Sequence, residues 1–288
     1  MTAPASPASA QIPVPALGTA PSGGLSGFGR LLASEWTKIR SVRSTVWTLI
    51  AFVVVTIGFT ALFAGLISAN WNNGPNHLSR DATIAANPVN FIMGAGINLG
   101  QLTICVLGVL LITTEYSTGV IRASLLAVPR RWPMLTAKVV VFAVLMVVVS
   151  EIIVFCSFFL GSALIHSHAP VALSDPGVTR AVVGAGLYLT VLGLFALGIG
   201  GLIRHTAGAV STVIGVVLVL PILSGLLPGS WGQHINAYLP EQAGSLIATH
   251  ANSKAAQLLT PWEGFGVLCL WAALMLAGAY FLLARRDA

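Results

Sequence analysis

Six long apolar runs constrain this chain more than any other feature. They lie near 46–68, 91–113, 137–164, 180–203, 206–228 and 262–283. Each holds at least about 20 residues, which at a helical rise of about 1.5 Å per residue crosses a hydrocarbon core of about 30 Å. The fifth run follows the fourth almost directly. A single helix of about 50 residues would overshoot any bilayer, so Arg204 and His205 between them read as a tight hairpin. Composition agrees: of 288 residues, 56% are hydrophobic and only 8% charged, with a mean hydropathy of +0.89. A soluble domain usually carries about 25% charged residues, and a surface this poor in charge suits lipid rather than water. The expected fold is therefore an all-α integral membrane protein, a single six-span domain over residues 28–286 with no room for a second soluble domain.

The flanks orient the spans. Residues 1–27 are rich in Pro, Ala, Ser and Gly and carry no charge; such a segment cannot bury a core and reads as a disordered tail. No Lys or Arg precedes Arg30, so the basic start of a secretory signal is missing and the tail reads as retained. Over residues 28–44, Phe28, Leu31, Leu32, Trp36 and Ile39 recur at helical spacing opposite Arg30, Ser34, Lys38, Arg40 and Arg43. That pattern fits an amino-terminal helix lying in the membrane interface. With both termini inside, the cytoplasmic segments hold Arg30, Lys38, Arg40, Arg43, Arg122, Arg130, Arg131, Lys138, Arg204, Arg285 and Arg286, eleven basic residues, while the outer segments hold three, Arg80, Arg180 and Lys254. The asymmetry follows the positive-inside rule and accounts for the formal net charge of +6 without nucleic acid as a partner.

On the outside, segments 69–90 and 165–179 read as short polar loops, and 229–261 as a longer connection. Within it, the stretch from Trp231 to Tyr238 stands out, and Pro240 and Glu241 open a short helix, Pro in its first turn and an acid at its positive end. Five of six histidines (His77, His166, His168, His234, His250) face outside, but no Cys or carboxylate closer than Asp175 completes a site around His166 and His168, so no metal is expected. Cys105, Cys156 and Cys269 lie inside apolar runs without CxxC spacing, which supports neither a disulfide framework nor a zinc site.

Catalysis needs a nucleophile with a base, a metal or a cofactor cradle, and none is evident. There is no GxGxxG, HExxH or GxxxxGK[ST]; the three lysines sit in TKI, AKV and SKA. The chain cannot hold ATP in a P-loop, and it is not expected to be an enzyme. Glu151 is the one ionisable residue deep in a span, 13 residues past Lys138 and so roughly 20 Å along the helix. A charge at mid-bilayer costs on the order of 3 kcal/mol or more, so this carboxyl is neutral, paired or facing a wet cavity. It reads either as a substrate or proton contact or as a hydrogen-bonded interhelical carboxyl. In the second span Asn98 and Gln101, three residues apart, share a helix face with Cys105 nearby; they either line a pathway or bond between helices. Gly96 and Gly100 offer a close-packing surface, and Pro221 should kink the fifth span.

The segment between the second and third spans is the most informative: EYSTGVIRASLLAVPRRWPMLTAK, from Glu115 to Lys138. Ser117 or Thr118 can cap a short helix, Ile121, Leu125 and Val128 recur on one face, Pro129 ends it, and Pro133 suits the first turn of the next. From the residues alone, this is a docking element or an interfacial anchor at the cytoplasmic mouth. The order Glu115, Gly119, Leu126, Pro129, Arg130, Arg131, Lys138 resembles the corresponding loop in permease subunits of type 2 ABC transporters, the exporter-like membrane domains. ASEWTKIRSVRST, from Ala33 to Thr45, is similar to the interfacial helix of the same family, and the six-span topology and long last outer loop also match, so the resemblance covers about residues 28–286.

The resemblance implies a dimer of membrane domains, a second identical copy or a paralogue, on two separate ATPase subunits that carry the ATP and Mg. This chain itself then needs no cofactor. It further implies that the cytoplasmic helix after Glu115, with Gly119, Arg122, Leu126, Pro129, Arg130 and Arg131, couples to the ATPase. Asn98, Gln101 and Glu151 then become candidates for the translocation path, and short helices in 229–261 would cap it. The expected location is the plasma membrane. The alternative is a self-sufficient secondary transporter or channel using Glu151. Against it, the two halves do not align as inverted repeats. A membrane-embedded enzyme lacks a plausible acid–base or nucleophile pair.

Overall fold

Five of the six apolar runs each become one α-helix, and the fifth run becomes a helix interrupted by a π-helical turn. A computed structural model describes residues 24–73, 76–119, 131–227, 230–250 and 258–285, and among them there is no strand. Helix α1 (Gly24–Ser41) precedes the first span, α2 (Arg43–Ala69), with only Val42 between them. Then come α3 (His77–Ala86), α4 (Pro88–Ser117), α5 (Arg131–Ile165) and α6 (Val178–Ile203). The fifth span is α7 (Thr206–Ile214), a π-helical turn (Gly215–Val219) and α8 (Leu220–Gly225). Two short helices, α9 (Ser230–Ala237) and α10 (Pro240–Ser245), lead into a 3-10 turn (Leu246–Ala248), and α11 (Pro261–Arg285) is the last span. Six of these segments are long and apolar enough to cross a membrane. The chain is an all-α, multi-pass membrane protein.

Local chemistry sets the boundaries. Pro88 occupies the first turn of α4, where its missing N–H costs nothing. Gly177, with φ 82°, turns the chain into α6. Arg204, with φ 60°, ends α6 in the left-handed region, and the Nδ1 of His205 accepts the Gly208 N–H at 3.3 Å to start α7, forming the tight hairpin expected there. In the fifth span the irregularity lies just before Pro221. Proline lacks an N–H and its ring presses on the carbonyl four residues back. The ladder slips, so that the Leu220 N–H bonds the Gly215 carbonyl in a π turn. The segment 69–90, expected as a loop, is half helical. Asp81 in α3 is buried, and its Oδ2 accepts the Asn72 N–H at 2.9 Å, holding that residue at φ 61°.

The bundle is built around α6. About 78% of the most apolar stretch of α6 is buried, against 17% for the fifth span, so α6 is the shared core and the fifth span is peripheral. Helices α4, α5 and α11 pack on α6, and α2 packs on α4 and α5. Close approach depends on missing side chains. A Cβ on Gly108 of α4 would collide with the Gly193 carbonyl of α6, and one on Gly198 would sit 2.9 Å from the Leu276 backbone nitrogen of α11. Gly96 and Gly100 abut Thr60, Thr56 and Phe52 of α2. Small residues let helix backbones meet where no hydrophobic drive exists between them. The antiparallel order gathers Lys38, Arg43, Lys138, Arg204 and Arg285 at one end, called here the basic end. Helices α3, α9 and α10 lie at the other, the cap end.

Candidate functional site

At the basic end, four charges from three helices form one network, with Glu35, Glu115 and Lys138 buried and Lys38 half-buried at its edge. Lys138, 2% exposed near the start of α5, donates to Glu35 Oε2 of α1 at 2.5 Å and to Glu115 Oε1 of α4 at 2.8 Å. Lys38, one turn beyond Glu35 on α1, donates to Glu35 Oε1 at 2.6 Å and to Glu115 Oε1 at 3.3 Å. Two lysines and two glutamates make the set electrically neutral, which lets it stay buried. Burial alone would raise the Glu35 carboxyl, but the charge and hydrogen bond of Lys138, then those of Lys38, hold it below its ordinary value. Burial likewise works against the Lys38 ammonium, yet Glu35 and Glu115 hold it above its ordinary value. Glu115 Oε2 is buried with no partner among the described residues.

The network clamps both sides of the expected coupling segment. Glu115 precedes that segment, Gly119 closes the described part at φ 71°, and Lys138 follows it. Arg122, Leu126, Pro129 and Arg130 lie outside the described residues. Arg131 opens α5, and its side chain falls outside them too. Beside the network, the Arg204 guanidinium lies 5.0 Å from the Tyr116 ring centroid and donates to the Leu282 carbonyl at 3.0 Å, joining the ends of α4, α6 and α11.

The polar residues of the spans separate. Asn98 faces outward, while Gln101 is buried and accepts a short hydrogen bond from the Tyr188 hydroxyl of α6. Glu151 is half-buried in α5, with its carboxyl against Gly186 of α6, where a Cβ would come within 2.5 Å of Cδ and Oε1. Glu151 Oε2 is buried with no partner among the described residues. The structure therefore brings Gln101 to Tyr188 and Glu151 to Gly186, and leaves Asn98 apart from both.

Single hydrogen bonds, many of them to backbone carbonyls, hold the cap end together. Arg180 donates to the carbonyls of Thr249 at 3.0 Å and Ile247 at 3.4 Å. Asn90 and His250 exchange two bonds, at 3.0 and 2.5 Å. Trp271 Nε1 donates to the Tyr238 carbonyl at 3.0 Å, and Asn236 to the Pro221 carbonyl at 2.9 Å. The ring of His168 lies 4.9 Å from that of Trp71, and the Asp175 carboxylate accepts from the Ala172 N–H. Burial pushes the Glu241 carboxyl up to about 7. A cavity of about 770 Å³ opens between α8, α9 and α10, with Ser224, Gln233, Asn236 and Gln242 as its uncharged polar lining.

Reading the sequence missed Glu35, Tyr188 and Arg180. A lone acid in the basic stretch from Arg30 to Arg43 was the available signal for Glu35. No protein-family model matches the chain, and no curated protein matches its sequence.

Proposed function

We propose that the chain is the membrane-spanning permease subunit of an ATP-driven ABC transporter, working as an exporter. Separate ATPase subunits hold the ATP and Mg, and a second copy or a paralogue completes the translocation path. The chain sits in the plasma membrane with both termini cytoplasmic, so the basic end faces the ATPase. The observation that supports this most is the Glu35–Lys138–Glu115–Lys38 network. A push on segment 118–130 cannot be absorbed locally, because Glu115 before it and Lys138 after it are tied to each other and to α1. Such a rigid link is what converts closure of an ATPase dimer into a shift between two arrangements of the spans. The sequence also lacks a phosphate-binding loop of its own, so energy from ATP must enter through a partner.

The test is mild detergent extraction of the tagged chain from its own cells, with mass spectrometry of what co-purifies. A stoichiometric soluble protein carrying GxxxxGK[ST] is expected. Glu115→Ala is expected to leave the chain inserted while coupled ATP hydrolysis falls severalfold. A chain that repeatedly purifies without a nucleotide-binding partner overturns the proposal and favours the carrier or channel reading, supported by the Glu151 Oε2, which has no partner among the described residues.

A further inference from the structure

The described spans carry an imbalance of charge. Between Lys138 and the end of α5 there is one acid, Glu151, and no base. Helix α6 has no basic residue between Arg180 and its end, and α2, α4 and α11 have none away from their ends. Arg180, the nearest base on α6, is six residues from Gly186, about 9 Å along the axis, and is committed to the Ile247 and Thr249 carbonyls. Glu151 therefore has no counter-charge among the described residues. An ionisable group inside a membrane is costly unless something pairs with it.

The surroundings favour one kind of partner. Gly186 leaves a recess that the carboxyl fills. Around it the α5 surface is apolar and outward-facing, with Val148 52% and Ile152 58% exposed. Phe155, one turn further on, shares that face and packs toward Phe159, ring centroids 6.4 Å apart. A small metal cation is a poor fit. A hard ion needs about six oxygen ligands to replace its water, and one carboxylate supplies two. A bulky organic cation is weakly hydrated, spreads its charge, and gains from both a carboxylate and an aromatic face. Its apolar body would lie against the exposed Val148 and Ile152 side chains and the half-buried Phe155.

We infer that the Glu151 carboxylate, seated against Gly186 on the outward edge of α5, binds a lipophilic organic cation. This deepens the transport reading and rests on it for the word cargo, but not on the coupling to ATP. The test is equilibrium binding of tetraphenylphosphonium to the purified full chain, with tetraphenylborate as a twin of like shape and opposite charge. Saturable binding of the cation is expected, at least tenfold tighter than that of the anion. Glu151→Gln, close to isosteric, should weaken it tenfold or more. Glu151→Asp should retain most of it, and Gly186→Ala should weaken it with the charge intact. Cys156→Ala, on the same helix, should change nothing. Equal binding of the two ions, no saturable binding by the wild type, or unchanged binding by a Glu151→Gln variant that elutes as the wild type does overturns the inference. An ATPase that co-purifies with a chain unable to bind the cation leaves the permease reading standing without this site. Glu151-dependent binding with no ATPase partner leaves this site and removes that reading.

Discussion

The two ends of the bundle are held by different physics. The basic end is locked by complete charges drawn from three helices, Glu35, Glu115 and Lys138 buried and Lys38 half-buried beside them. Apart from the ion pair between neighbours on α3, Arg80 and Asp81, the cap end is held by separate polar side chains, mostly against backbone carbonyls and one or two bonds at a time. A buried charge network is all or nothing, since removing one member strands another in a low-dielectric site. A set of separate hydrogen bonds fails piecemeal, each worth about 1 kcal/mol net, or about 1.5–3 when a charge takes part. The first arrangement suits an end that must transmit force as one body. The second suits an end that opens one contact at a time.

The largest predicted effect breaks the basic end. Lys138→Met leaves the Glu35 and Glu115 carboxylates facing one another with only Lys38 between them, and should cost about 3–5 kcal/mol. Glu35→Gln should cost less, and combining it with Lys138→Gln should recover part of the loss, because no uncompensated charge then remains. Thermal unfolding in detergent, read by loss of the monodisperse peak, measures all three. A Lys138→Met variant as stable as the wild type would show that the network is decorative. At the cap end, Arg180→Ala should cost about 1.5–3 kcal/mol and expose the 246–250 stretch to limited proteolysis, while α1 and the starts of α2 and α5 stay protected. Simultaneous loosening of both ends would erase the distinction between them.

What could be read from the sequence divides along the same line. The spans were legible because length and hydropathy are local properties, and the hairpin at Arg204 and the helix at Pro240 were legible because caps and prolines are local too. The networks were not. Lys138 meets Glu35 from 103 residues away, and Tyr188 meets Gln101 from 87, distances over which no pattern repeats. Asn98 and Gln101 show the limit of face arguments. Three residues turn a helix by about 300°, which leaves the two side chains some 60° apart, and the edge of the packed surface falls between them. The expected coupling segment, from Arg122 to Arg130, lies outside the described residues.

The two ends also differ in their response to pH, because Glu35 and Glu241 are displaced in opposite directions. Glu35 titrates below its ordinary value of 4.5 in the folded chain. Its contribution is therefore complete above 4.5 and is lost as pH falls through the lower folded value. Glu241 is displaced the other way, from 4.5 to about 7. The folded chain holds that proton more tightly, so the cap gains stability that is complete below 4.5 and lost as pH rises toward about 7. One titrating group changes stability by at most about 1.4 kcal/mol per pH unit. Hydrogen exchange followed from pH 7 to pH 5 should show the 240–248 stretch becoming more protected while α1 stays constant. Glu241→Gln should flatten the first response and leave the second untouched. An α1 that loosens between pH 7 and pH 5 would mean that its charges are not held as the network requires, and the contrast between the ends would fail at its stronger side.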